Sequence, residues 1–311
     1  MKIRALAFAT FSVLAAAAFF STRSFAEPDQ VKLIVPGVWF REGDMEQGHC
    51  NNIIIEMKDY LIVVDANYPS GAQRALAETK RISDKPVKYV FDTHHHGDHL
   101  YGNPIWTAAG ATTLAYAGVT EELNRYEPAR WQAAAKTRAD VKELNRDAPE
   151  PPKQTFDKSP FVLKDSTREV RFYFFGWAHT RGDGFVYLPK EKVLCTGDAV
   201  VNGPHNNTAD ANIGHWPSVL RSAQRLDVTY VLPGHGEPAG KELIEGQIQF
   251  MVNLHKAVDT AIKEGKKPEG LIVKLPDSVK NWVGKSLDSQ VKDTYAEIVS
   301  KKPRGDLGEG K

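Results

Sequence analysis

The tract Thr93-His94-His95-His96-Gly97-Asp98-His99 follows, after Asp92, a mostly apolar run, Val87 to Phe91, and it restricts this chain more than any other feature. Four potential donors in the pattern His-x-His-x-Asp-His cannot be packed into an apolar core, because desolvating a carboxylate and several imidazoles without partners is too costly. Neutral imidazole and carboxylate are the donors that zinc takes alongside thiolate. The tract therefore reads as half of a metal site at the carboxyl end of a strand. A solvated polar turn or a composition-biased histidine run is the plain alternative. The specific spacing and the further donors downstream speak against it.

Those further donors are His179 in Ala178-His179-Thr180-Arg181-Gly182-Asp183, Asp198 in Thr196-Gly197-Asp198, and His235 in Pro233-Gly234-His235-Gly236. Each stands in a polar turn. Singly they carry little, since a lone loop histidine is usually a surface residue and an Asp after Gly is usually a turn former. It is their combination with the tract that makes a set.

Short apolar runs place these turns in a strand-rich frame. Val31 to Val38, Asn52 to Met57, Leu61 to Val64 and Val87 to Phe91 read as strands, and a helix is expected from Ser70 to Ile82. Strands resume at Glu169 to Phe175, Phe185 to Leu188, Val193 to Thr196 and Val228 to Leu232, with a helix from Trp216 to Leu226 between the last two. This order argues for an α/β sandwich whose functional groups collect at strand ends. Residues 119–160 differ: a charged helical stretch from Trp131 to Asn145 is followed by Ala148-Pro149-Glu150-Pro151-Pro152, which reads as a surface insertion, either a lid or a connector. The tail, 241–311, reads as helices packing on the same domain. One weak echo, Leu61 to Ala66 against Val193 to Ala199, sets an Asp-containing turn after an apolar strand in both halves.

The first 26 residues have the form of a secretory signal peptide, with a basic start, an apolar run from Ala5 to Phe20 and Ser24-Phe25-Ala26 at the expected cut. That run is short of the ~20 residues a bilayer span needs, so no stable membrane association is expected after cleavage. The expectation is an exported protein, periplasmic or extracellular. Cleavage removes Lys2, Arg4 and Arg23 and no acid from a chain with 40 basic and 39 acidic residues. The mature protein is thus close to neutral, which does not suit a phosphate backbone and leaves a small molecule as the expected partner. Export would permit a bridge between the only two cysteines, Cys50 and Cys195, and the sequence leaves pairing open. Cys195 lies within a strand and reads as a buried structural thiol.

Taken in order, Asp65, His94-x-His96-x-Asp98-His99, His179, Asp198 and His235 resemble the motifs of the metallo-β-lactamase superfamily, over roughly Val31 to Pro238. The resemblance implies a four-layered αβ/βα sandwich with helical insertion and carboxyl-terminal helices, the domain proper covering 27–240. It implies that His94, His96 and His179 hold one metal and Asp98, His99 and His235 a second, with Asp198 bridging. Asp65 would orient ligands from behind, and His95 would point elsewhere. Two zinc ions are the implied cofactors, with manganese or iron also compatible. The chemistry expected of such a site is attack by metal-bound hydroxide, with Asp98 and Asp198 as the catalytic carboxylates.

Within the family, an Asp at position 198 is similar to thioesterases of the glyoxalase II type, lactonases and other hydrolases. Dedicated β-lactamases usually carry Cys or Ser there. Quorum-signal lactonases carry a Tyr shortly after this Asp, where the chain has Val200-Val201-Asn202. The segment from Asn202 to His215 is a candidate for substrate contacts, with Asn202, His205 and His215 singled out. The expectation is a dinuclear zinc hydrolase for an ester, thioester, lactone or amide bond. A β-lactam hydrolase and an iron-dependent sulfur dioxygenase of the same fold are the alternatives.

Overall fold

The computed structural model describes residues 30–203, 206–273, 276 and 287–308. The expected signal peptide, His205 and part of the carboxyl-terminal tail lie outside the described residues.

Two sheets form the centre. The larger runs in the order β1 (Val31–Val35), β2 (Val38–Arg41), β3 (Asn52–Glu56), β4 (Leu61–Val64), β5 (Val87–Asp92), β6 (Thr112–Tyr116) and β7 (Gln154–Phe156). It is antiparallel through β4 and parallel from β4 to β7. The smaller sheet is ordered β12 (Tyr230–Pro233), β11 (Val193–Gly197), β10 (Gly184–Leu188), β9 (Glu169–Phe174) and β8 (Phe161–Lys164), with only the β11–β12 pair parallel.

Strand alternation explains the layering. Successive side chains point to opposite faces, so Ile53, Ile55, Ile62, Val64 and Phe91 of one sheet meet Phe172, Val186, Leu188, Val193 and Cys195 of the other in a shared core. Their neighbours Ile54, Leu61, Val63 and Val90 face outward onto α1 (Pro69–Ile82) and α3 (Asn103–Ala108) through Ala72, Ala75 and Trp106. On the far side, Phe185 and Leu194 pack under α6 (Trp216–Gln224), α7 (Glu242–Lys263) and α8 (Asp288–Ser300). The result is helix, sheet, sheet, helix, the four-layered α/β sandwich expected. No helix among the described residues is long and apolar enough to cross a membrane.

Two local departures have clear causes. The run Val31 to Val38 is not one strand but a hairpin, because Gly37 adopts φ 79° and turns the chain after Pro36. In the stretch 119–160, α4 (Ala117–Thr137) and α5 (Ala139–Glu143) come first, and β7 then joins the larger sheet. Leu123, Glu127 and Trp131 of α4 are buried, so this helix presents one full face to the protein.

Both sheets deliver turns to one edge. Asp65 follows β4, the histidine tract follows β5 and runs into α2 (Gly97–Leu100), His179 lies in the β9–β10 turn, and Asp198 and His235 follow β11 and β12.

Candidate metal centre

The structure brings all seven expected donors to that edge. His94 Nε2 and His179 Nε2 each lie 3.1 Å from His96 Nδ1. Donors ~2.0–2.1 Å from a tetrahedral zinc stand about 3.3 Å from one another, so the spacing suits a shared ion. The tautomers suit it too. His179 Nδ1 donates to the Asn207 carbonyl at 3.0 Å and His96 Nε2 to Asp210 Oδ2 at 2.9 Å. Each ring then keeps its lone pair on the inward nitrogen. Two inward lone pairs at 3.1 Å repel unless a cation stands between them, and burial keeps water from relieving them.

A second group converges beside the first. His99 Nδ1 meets Asp65 Oδ2 at 2.9 Å, which turns Nε2 toward Asp98 Oδ2 and Asp198 Oδ1, each 3.4 Å away. His235 Nε2 lies 3.0 Å from Asp98 Oδ2. His99 Nε2 and Asp198 Oδ1 are buried without a hydrogen-bond partner, and a cation is what such orphaned atoms lack. Asp198 stands between the groups, its Oδ2 3.9 Å from His179 Nε2 and 3.5 Å from His235 Nε2. The residues therefore fit metal binding at both groups.

Electrostatics divide the donors: burial lowers His94 and His179, whereas against the same burial Asp210 raises His96, Cys50 with the nearby carboxylates raises His99, and Asp198 raises His235. Burial, with His96 next, pushes His179 down to about 3, and burial with the surrounding imidazoles puts His94 well below the ordinary histidine range. Burial opposes ionisation of Asp98 and Asp198, yet His99 and His235 hold both carboxyls below the usual range.

The turns that carry these donors are fixed by backbone contacts. Asp65, at φ 68°, also accepts from the Thr93 N–H at 2.8 Å, and its carbonyl accepts from Asn52 Nδ2 at 2.7 Å. Thr93 Oγ1 lies 3.0 Å from His94 Nδ1. Asn51 Nδ2 donates to the carbonyls of Pro233 and Gly236 at 2.9 Å, bracketing His235. A Cβ on Gly234 would stand 2.1 Å from Asp198 Oδ1, so only glycine fits before His235. Asp183 receives the Ala178 and Thr180 N–H groups and closes the turn of His179.

Several residues at the centre carry no sequence signal. Asp210 is the chief one: it takes His95 Nε2 at 3.2 Å and His96 Nε2, and it is gripped by both terminal nitrogens of Arg130 at 2.7 and 2.9 Å. Burial opposes its ionisation, yet these hydrogen bonds hold it far below the carboxylate range. His95 thus turns away from the ion-binding groups into a buried cluster with Glu127, Arg130 and Asp210. A cavity of about 480 Å³ opens over His96 and Asp98, walled by Tyr68, Tyr101, Glu127, Arg130, Asn207 and Arg304 among others. Helix α4 and the carboxyl-terminal tail both reach it.

The expected substrate contacts fare differently. Asn202 donates its side-chain amide to the Glu237 carbonyl at 2.7 Å and its N–H to the His235 carbonyl at 2.8 Å, so it ties down the His235 turn and does not line the cavity. His215 is exposed at the head of α6, with Nδ1 3.1 Å from the Trp177 carbonyl, and it too is away from the cavity. Both are diverted because backbone carbonyls beside them satisfy their polar atoms. Cys50 and Cys195 are both free and buried. Cys50 lies against His99, and burial pushes its thiol up to about 12.

Comparison with known proteins gives the family through its model, and the solved structures agree on the fold. The model described as "Metallo-beta-lactamase superfamily" matches residues 45–235. The metallo-β-lactamase type 2 of Bacillus sp. (strain 170) is 24% identical over 200 residues, covering 62% of this chain and 69% of that protein. The solved metallo-β-lactamase of Pontibacter korlensis superposes with a TM-score of 0.59 at 23% identity, over 72% of this chain and 99% of that one. A stereoselective inverting sec-alkylsulfatase of Pseudomonas sp. gives a TM-score of 0.68 at 16% identity, over 90% of this chain and 52% of that one. Because the family match spans more than half of the chain and encloses every donor described above, this protein belongs to the metallo-β-lactamase superfamily and is a metal-dependent hydrolase.

Proposed function

We propose that the protein is an exported, dinuclear zinc hydrolase that cleaves an ester, thioester, lactone or amide bond in a small molecule. The observation that carries this reading is Asp198, whose carboxylate lies within 4 Å of nitrogens from both donor groups. His94, His96 and His179 hold one ion, Asp98, His99 and His235 hold the other, and Asp198 is shared. Asp65 fixes His99 from behind.

The ions would supply an activated water near neutral pH and Lewis acidity toward a carbonyl oxygen. The chain's own residues do the rest. Asp98 lines the cavity and is held ionised, so it would accept a hydrogen bond from the attacking water and orient it. Asp198 keeps the two donor groups in register. The neutral imidazoles of His94 and His179 keep their lone pairs available across the working pH range. Tyr68, Tyr101 and Ala134 give the cavity apolar surface for the substrate's body, with the near-neutral charge of the chain consistent with a small-molecule partner.

A second reading, β-lactam hydrolysis, is favoured by relatives named metallo-β-lactamase type 2. Against it stands the carboxylate of Asp198. The deciding experiment is metal quantification on the secreted protein, followed by a panel of lactones, thioesters, cephalosporins, phosphodiesters and alkyl sulfates. Two zinc ions per chain and turnover of a carboxylic-acid derivative are expected. A single iron with oxygen consumption points to the sulfur dioxygenase reading and overturns the hydrolytic one for this chain's native reaction. Amino-terminal sequencing of the exported product should begin at Glu27.

A further inference from the structure

Helix α8 and the turn Arg304–Asp306 lie beyond the residues that the family match covers, yet they bear on the three-histidine group. Between β11 and α6 the loop 206–213 supplies the two outer partners of that group, the Asn207 carbonyl on His179 and the Asp210 carboxylate on His96. Arg130 grips Asp210, Trp177 Nε1 donates to the Asp210 carbonyl, Asn206 Nδ2 to the Asp198 carbonyl and the Asn212 N–H to the Ala178 carbonyl, and the carboxyl-terminal segment supplies a further set of anchors. Gln290 Nε2 donates to the Asn206 carbonyl at 2.8 Å, and Thr208 Oγ1 donates to Asp293 Oδ2 at 2.6 Å. Glu297 receives the Ile213 N–H at 3.0 Å, the Gly214 N–H at 2.6 Å and the Arg304 N–H at 2.8 Å. The Gly305 N–H donates to the Ala211 carbonyl at 2.9 Å.

Two of these contacts, Gln290 with Asn206 and Glu297 with the Ile213 N–H, are buried, and those of Thr208, Gly214 and Arg304 are part-buried. Gln290, Glu297, Thr208 and Asp210 are themselves buried, so losing a partner would leave a polar group of theirs poorly placed to be satisfied by solvent. Gly305 is tighter still: a Cβ there would stand 2.6 Å from the Asp210 carbonyl oxygen. The turn is pressed directly on the residue that orients His96. The other donor group is held, among the described residues, by Asp65, Asn51 and Asn202 from within the sheets' own turns.

We propose that α8 and the Arg304–Asp306 turn form a brace for the three-histidine ion site, with Glu297 and Gly305 as positioning residues that act through the loop 206–213. The proposal rests on the two-ion reading above. It assigns the carboxyl-terminal segment a part in metal retention that packing alone would not require. Loss of an outer partner typically costs 10–100-fold in metal affinity, and loosening the brace should reproduce that loss on one ion only.

The test uses the full-length protein with Glu297→Gln and Gly305→Ala. Stepwise zinc affinities are measured by competition with a chromophoric chelator, with Asp210→Asn marking the step that belongs to the three-histidine group. Amide exchange is followed in the same samples. We expect that step to weaken by about 10–100-fold while the other stays unchanged, with faster exchange confined to 206–214. Unchanged exchange and affinity in both variants overturn the brace. Equal weakening of both steps with faster exchange across the sheets overturns it as well, because that is general destabilisation. Failure of the two-ion reading is separate, for it shows in the wild type as fewer than two zinc steps, whereas the brace is read from variant against wild type.

Discussion

His99 and His235 are oriented by groups at the ends of neighbouring strands, Asp65 after β4 and Asn51 before β3, whereas His96 and His179 are oriented by a loop that is anchored in part by the carboxyl-terminal helix. The first arrangement inherits the rigidity of a hydrogen-bonded sheet. The second depends on long-range cross-links between loop 206–213 and residues some eighty positions away, such as Asn206 with Gln290. Local opening free energies differ across a protein, and loops held by a few contacts open first. The two halves of one centre should therefore differ in how easily they lose an ion. What joins them is a single side chain, Asp198.

Removing that junction should have the largest effect. Asp198→Ala takes a carboxylate within reach of both groups, so hydrolysis should fall by about 10⁴-fold in kcat/KM. Zinc content measured on the same preparation should drop with it. Undiminished turnover would sink the shared-carboxylate account and leave two independent sites.

A smaller pair of changes separates the halves. Asp65→Asn weakens the support of His99, and Asp210→Asn that of His96. Each should lower the affinity of its own ion by roughly 10–100-fold and leave the other within a few fold. The two variants should then show complementary losses in a stepwise zinc titration. If both lose the same step, the donors do not divide as assigned.

This division also marks how far the sequence could be read. The histidine tract, His179, Asp198 and His235 were legible because each follows an apolar strand and because their order is that of a known family. Asp65 was legible for the same reason, and the strands themselves follow from runs such as Asn52 to Met57, whose alternate residues face the two cores. Asp210 was not: it lies 114 positions from His96 and reaches it only through the tertiary fold. Asn202 and His215 stood in the right segment but are held by nearby carbonyls, which no pattern announces. The contribution of α8 was hidden for a further reason. Its buried Gln290 and Glu297 are polar, and polar residues on a helix read from sequence as its solvated face.

The smallest effect concerns a charge pair beside the better-braced half. Glu42 interacts with Glu237, two residues past His235, and Lys32 stands 3.8 Å from the first and 2.7 Å from the second. Burial, then the interaction with Glu237, raise Glu42 to about 7, with Lys32 opposing. An unfolded chain releases this proton near its ordinary value of 4.5. Between pH 4.5 and 7 the folded chain binds a proton that the unfolded chain has lost, so stability falls as pH rises through that window and levels off above it. Glu42→Gln keeps a donor for Glu237 and has nothing to titrate. It should match the wild type near pH 5 and exceed it at pH 8 by about 1 kcal/mol, a figure discounted for the partial exposure of the pair. In thermal melts that is a gain of about 2–4 °C at the higher pH. Curves that run parallel from pH 5 to 8 would mean that the two carboxyls share no proton, and that the His235 side of the centre carries no electrostatic weak point to set against the long-range bracing of the His96 side.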